Sequence, residues 1–121
     1  MNFKNKIIDF DQAGRLFKKI RSTKKIIHCH GVFDLVHPGH IRHLSYCKSK
    51  ADILIVSITP DKFIKKGIYR PLVPEKIRAN NLSVLELVDY VVIDKFKYPY
   101  SIINKIKPHY FAKGNEYFNN P

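Results

Sequence analysis

The chain has 121 residues, 45% of them hydrophobic, and 22 lysines and arginines against 10 carboxylates give a formal charge of +12. That length holds one compact domain, and that apolar share excludes wholesale disorder. No apolar run nears the roughly 20 residues of a membrane-spanning helix. The first residues lack a signal-peptide core, so a cytoplasmic location is expected. Cys29 and Cys47 have no metal-ligand spacing along the chain and read as buried free thiols.

Residues 11–20 carry apolar side chains at 13, 16, 17 and 20, which is helical spacing, with Asp11 as the expected N-cap. Residues 24–30 read as the first core strand. Pro38 suits a first helical turn, and residues 38–50 continue as a helix. Residues 52–58 form a nearly unbroken apolar run, as expected of a strand covered on both faces. Residues 59–73 contain Pro60, Gly67 and Pro71 and are expected to be irregular. A helix is expected over 74–87, turning 77, 82, 84, 85 and 88 to the sheet. Residues 90–93 read as a strand, 100–107 as a short helix stopped by Pro108, and 109–112 as a fourth strand. This alternation predicts an α/β domain: one doubly wound parallel sheet with helices on both faces. Ligands of such sheets bind beyond the carboxyl ends of the strands.

The run Gly31-Val32-Phe33-Asp34-Leu35-Val36-His37-Pro38-Gly39-His40 stands at such an end. A helix N-terminus offers unpaired N–H groups and partial positive charge, which favour an anion. Gly39 lets a ligand approach the backbone. His37 and His40, three residues apart, fit a metal, a chance pairing or a phosphate. The strand–turn–helix setting favours the phosphate. His28, His30, His43 and His109 read as structural or surface residues. The positive charge fits a nucleic-acid surface, a cleft for phosphorylated substrates, or a lysine-coated exterior; its scatter along the chain favours the last for most positions.

The decapeptide resembles the His-x-Gly-His motif of the nucleotidyltransferase superfamily, in its cytidylyltransferase-like branch. The likeness runs from about Lys24 to the end of the chain. It includes Arg70-Pro71-Leu72-Val73-Pro74, Arg78 and the segment from Lys107 to Tyr117. It is nearest to the adenylyltransferase domain of ADP-heptose synthases and to glycerol-3-phosphate cytidylyltransferases. The resemblance implies a Rossmann-like fold. It also implies transfer of a nucleotidyl group from ATP or CTP to a sugar or polyol phosphate, with release of pyrophosphate.

His37 and His40 are then expected to bind the nucleotide phosphates, with Gly31, Val32, Phe33, Asp34 and Gly39 lining the floor. Asp34 has a second reading, as the residue that fixes the turn. Lys65 or Lys66 matches the family's mobile lysine. Arg78 and Lys95 are expected at the acceptor phosphate; the plainer reading of Arg78 is a salt bridge to Glu75 or Glu86. Lys113, Gly114 and Glu116 are expected near the base and ribose. Mg²⁺ is expected to travel with the nucleotide, held mostly by phosphates and water, with no protein-built metal site. Relatives are often homodimers, and the aromatic segment 96–100 offers a contact. The family's later Ser/Thr-rich segment is absent from these residues, so the domain is expected to lack its C-terminal part. That leaves two alternatives to an enzyme: a non-catalytic nucleotide-binding module, and a basic nucleic-acid-binding protein with no motif behind it.

Overall fold

The computed structural model describes residues 3–64 and 71–113. Eight main elements alternate along it: α1 (Phe10–Ile20), β1 (Ile26–Gly31), α2 (Pro38–Ser49), β2 (Ile53–Ile58), α3 (Glu75–Ser83), β3 (Tyr90–Ile93), α4 (Tyr100–Ile106) and β4 (Tyr110–Lys113). Short 3₁₀ turns at Phe3–Lys6 and Asp61–Phe63 supplement them. The strands form one sheet in the order β3-β2-β1-β4. All three pairings are parallel, with Ile27 opposite both Leu54 and Tyr110, and Val56 opposite Val91.

Strand alternation sends neighbouring residues to opposite faces. Ile27, Cys29, Leu54, Val56 and Val91 pack with Leu44 and Cys47 of α2 and Ala79 and Leu82 of α3. Ile26, Ile55 and Val92 pack with Phe10, Ala13 and Phe17 of α1 and Ile102 and Ile106 of α4. Burying side chains of this size stabilises the fold by roughly 1.5–3 kcal/mol each. The chain steps from β1 to β2 to β3 over one face, then returns over the other to place β4 beyond β1. The strand order therefore reverses between β1 and β4, and that reversal opens a crevice at their carboxyl ends. The doubly wound parallel sheet expected from the sequence is the observed one.

Two local expectations are corrected. The N-cap of α1 is Asp9, not Asp11: its carboxylate accepts from Gln12 N at 2.7 Å, and Gln12 Oε1 accepts from Asp9 N at 2.8 Å. This reciprocal box draws Phe10 into the helix and onto the core. Helix α3 ends at Ser83, and it buries Arg78, Ala79, Leu82 and Ser83 while Ile77 and Val84 stay exposed. The helix is rotated from its expected setting because Arg78 has acceptors inside. Lys107 closes α4 in the left-handed conformation, φ 50°, ahead of Pro108.

Candidate functional site

Beyond Gly31 the chain must turn sharply out of the sheet and into α2. Phe33 makes that turn with φ 51°, an unfavourable backbone for a bulky residue. Such a conformation costs of the order of 1–3 kcal/mol and needs surroundings that enforce it. They are present: the Phe33 ring is buried in the core and lies 5.1 Å from the His40 ring. Asp34 follows, and its two carboxylate oxygens accept from Leu72 N at 2.9 Å and Val73 N at 2.8 Å. Asp34 thus ties the motif to the segment entering α3.

His37 is the N-cap of α2, and its Nδ1 accepts from Gly39 N at 3.1 Å. His40 Nδ1 accepts from His37 N, also at 3.1 Å. The two rings lie 3.9 Å apart at 36°. Each Nδ1 receives a backbone proton, so in each neutral ring the ring proton sits on Nε2. The backbone N–H groups of this first turn are taken up by the two rings, and the helix start thereby presents two imidazole N–H donors of fixed tautomer, suited to phosphate oxygens. Gly39 is needed for a reason beyond close ligand approach. A Cβ there would lie 2.8 Å from His37 Cε1, so only glycine lets the imidazole fold back over its own helix.

Arg78 is fully buried. Its Nη1 donates to Val32 O at 2.9 Å, Nε to Val73 O at 3.0 Å, and Nη2 to Asp61 Oδ1 at 2.6 Å. Its salt bridge is therefore to Asp61, not to Glu75 or Glu86. Asp61 and Glu75 also exchange bonds: Asp61 N donates to Glu75 Oε1, and Glu75 N to Asp61 Oδ2. One guanidinium joins the motif turn, the turn after β2 and the start of α3. Its three nitrogens are committed to these contacts rather than turned to solvent.

An open cleft of about 750 Å³ lies beyond β2 and β3, lined by Asp61, Lys62, Glu75, Lys76, Asp94 and Lys95. Lys95 Nζ sits 5.2 Å over the Phe10 ring and 3.8 Å from Asp11, and its side chain is half-exposed. Asp94 is buried, with Oδ1 accepting from Lys95 N and Phe96 N. Burial raises its carboxyl above the ordinary range, against the pull of those two amides.

On the α1–α4 face a polar chain crosses the core. His28 Nε2 and His30 Nδ1 meet the Ser57 hydroxyl at 2.7 and 2.6 Å, and His30 Nε2 meets Thr59 Oγ1 at 3.3 Å. Burial pushes His28 down to about 3, helped by repulsion from His30, and pushes His30 down to about 4. Both rings are neutral at pH 7. Periodicity alone does not show this chain, because His28, His30 and Ser57 occupy positions that read as ordinary strand.

The structure thus brings Gly31, Val32, Phe33, Asp34, Gly39, His37 and His40 to one turn beside the switch point. Lys113 ends β4 opposite His30. Lys65, Lys66, Gly114 and Glu116 lie outside the described residues. Among the described residues, the group of three or more His, Cys, Asp or Glu side chains close enough to share a metal is Cys29, His43 and Cys47. Those are soft ligands that do not suit Mg²⁺. The chain spacing of the cysteines hid this grouping. Its one sequence signal is that His43 and Cys47 are four apart on a helix.

Residues 28–121 match the cytidylyltransferase-like family. Among curated proteins, the bifunctional protein HldE of Aliarcobacter butzleri (strain RM4018) is 39% identical over 119 residues, covering 96% of this chain and 25% of that protein. HldE of Helicobacter pylori (strain ATCC 700392 / 26695) is 45% identical over 98 residues, covering 79% of this chain and 21% of that protein. The chain spans about a quarter of the length of these relatives. The crystal structure of the lipopolysaccharide core biosynthesis protein from Thermoplasma volcanium GSS1 superposes with a TM-score of 0.64 at 26% identity, over 73% of this chain and 72% of that one. No described helix is long and apolar enough to cross a membrane.

Proposed function

The chain belongs to the cytidylyltransferase-like family of nucleotidyltransferases, and from that premise we propose that its site transfers the adenylyl group of ATP to a sugar 1-phosphate of the heptose type. The observation that carries this reading is the His37–His40 pair at the start of α2, with both Nε2–H donors set by backbone bonds to Nδ1. The motif's resemblance to ADP-heptose-synthase adenylyltransferase domains, alongside the similarity to the HldE proteins, supports ATP and heptose 1-phosphate. CTP with glycerol 3-phosphate is the alternative pair.

An acceptor phosphate oxygen forms a bond to the α-phosphorus, the bond from that phosphorus to the β-bridging oxygen breaks, and pyrophosphate leaves. No covalent enzyme intermediate is required. The protein's task is to hold the two phosphates in line and to offset the charge that builds on the α-phosphate. His37 and His40 donate to the nucleotide phosphates in this scheme. Lys65 or Lys66 bridges the two substrates, and Lys95 attracts the acceptor. Lys113, Gly114 and Glu116 border the base and ribose. Arg78 acts by holding the wall formed by Val32, Val73 and Asp61 rather than by touching the acceptor. Mg²⁺ enters as part of the MgATP substrate.

The test is pyrophosphate release by the full-length protein with ATP or CTP, each against heptose 1-phosphate and glycerol 3-phosphate. Turnover is expected with ATP and heptose phosphate, and His40→Ala is expected to lower kcat roughly 10²–10³-fold, the usual loss for one donor to a developing charge. Full activity in that variant, or no release with any pair, overturns the reading.

A further inference from the structure

The grouping of Cys29, His43 and Cys47 lies on the α2–α3 face of the sheet, with His43 one helical turn beyond His40, and is unused by the proposed reaction. Cys29 comes from β1. His43 and Cys47 stand one helical turn apart on α2 and face it. All three are buried, Cys29 fully, Cys47 at 1% exposed and His43 at 4%. Both cysteines are free. One ligand atom from each lies within 4.8 Å of the others, and Cys47 Sγ is 3.9 Å from His43 Nε2.

Two sulfurs and a nitrogen around a tetrahedral zinc stand about 3.6–3.8 Å from one another, given Zn–S near 2.3 Å and Zn–N near 2.1 Å. The Cys47–His43 separation needs to contract by a few tenths of an ångström, and the other pairs, all within 4.8 Å, by at most about 1 Å. A fourth donor is at hand. The Lys113 carbonyl oxygen accepts from His43 Nε2–H at 2.8 Å and from Cys29 Sγ at 3.8 Å; it becomes a ligand when the imidazole proton shifts to Nδ1 and the pair opens to about 3.4 Å. Charge also fits. Two thiolates and a neutral imidazole around a divalent ion sum to zero, which a dry core accepts and an uncompensated ion would not. A hard cation such as Mg²⁺ or Ca²⁺ is a poor match for two sulfurs and a nitrogen.

We propose that Cys29, His43 and Cys47, closed by the Lys113 carbonyl, form a buried site for one thiophilic divalent ion of the zinc type. Binding exchanges two thiol protons for one Zn²⁺, with no change of oxidation state. The bound ion clamps the body of α2 to β1 and to the last residue of β4. It thereby joins the helix capped by His37 to the end of β4.

The experiment is anaerobic titration of the reduced full-length protein with Zn²⁺ alone against a colorimetric chelator, paired with Co²⁺ absorption spectra. One Zn²⁺ per chain is expected in this site, with release of two protons and thiolate-to-cobalt charge-transfer bands. Cys47→Ser and His43→Gln are each expected to weaken this binding roughly 100-fold or more. Zinc held equally by wild type and both variants overturns the site. So does a wild-type Co²⁺ spectrum without thiolate bands, a readout that stands even where a variant fails to fold. A Cys29–Cys47 disulfide in a protein whose reduced form takes up no zinc also overturns it. Pyrophosphate release is not the readout, so failure here leaves the nucleotidyl-transfer reading intact.

Discussion

Gly39 works against its own helix and for its neighbour. In a first turn alanine is the better helix former by up to about 1 kcal/mol, yet its methyl would meet the His37 ring at 2.8 Å. Gly39→Ala is therefore expected to leave the melting temperature unchanged or slightly higher while kcat falls roughly 10²-fold, because the imidazole must move by about 1 Å. Wild-type turnover in Gly39→Ala would show that His37 is not held by this contact. His37 and His40 were readable from the sequence because their partners are local: each Nδ1 bond spans two or three residues. Arg78 was not. Its acceptors lie up to 46 residues away, and nothing along the chain marks them.

At the scale of elements, Arg78 shows how one inward charge reorients a helix. The spacing of Ile77, Leu82 and Val84 suggested one apolar face, but the helix instead buries the side that carries Arg78. Hydrogen bonds to three acceptors outweigh the burial of two aliphatic side chains. Arg78→Met is expected to lower stability by about 2–4 kcal/mol, since Val32 O and Val73 O lose their donor and Asp61 its partner. Arg78→Lys is not expected to rescue, because an ammonium lacks the planar fork that reaches all three acceptors. Urea denaturation of the two variants checks this; wild-type stability in the lysine form would contradict it. The strands were legible for the opposite reason. A doubly covered sheet demands continuous apolar runs, and 52–58 is one.

For the whole molecule, the neutral histidines couple stability to acidity. His28 and His30 titrate near 6.5 when unfolded but at about 3 and about 4 when folded. As pH drops below 6.5 the unfolded chain takes up protons first, so the stability present at neutral pH drains away until the folded values are reached. The unfolding free energy from urea titration is expected to fall steadily between pH 6.5 and about 4, by an amount of the order of 5 kcal/mol in total. His28→Phe should flatten that slope; an unchanged slope would exclude this pair as its source. The alternation of strands and helices was legible and pointed to a doubly wound parallel sheet, but the return of β4 to the edge beside β1, which opens the crevice, was not. Nor were the polar chain His28–Ser57–His30 and the grouping of Cys29 with His43 and Cys47, because both arise across strands and helices that only the folded sheet brings together.

The stretch between the turn after β2 and the start of α3 is anchored at both margins. Asp61 is held by Arg78 and Glu75 on one side, and Leu72 and Val73 by Asp34 on the other. Lengthening a tethered stretch is inexpensive, about 0.6 kcal/mol for each doubling. Because both margins are fixed, an insertion between residues 66 and 71 that keeps Lys65 and Lys66 is expected to leave the histidine turn undisturbed. On the nucleotidyl-transfer reading proposed above, this span is the one to vary when other acceptors are tested.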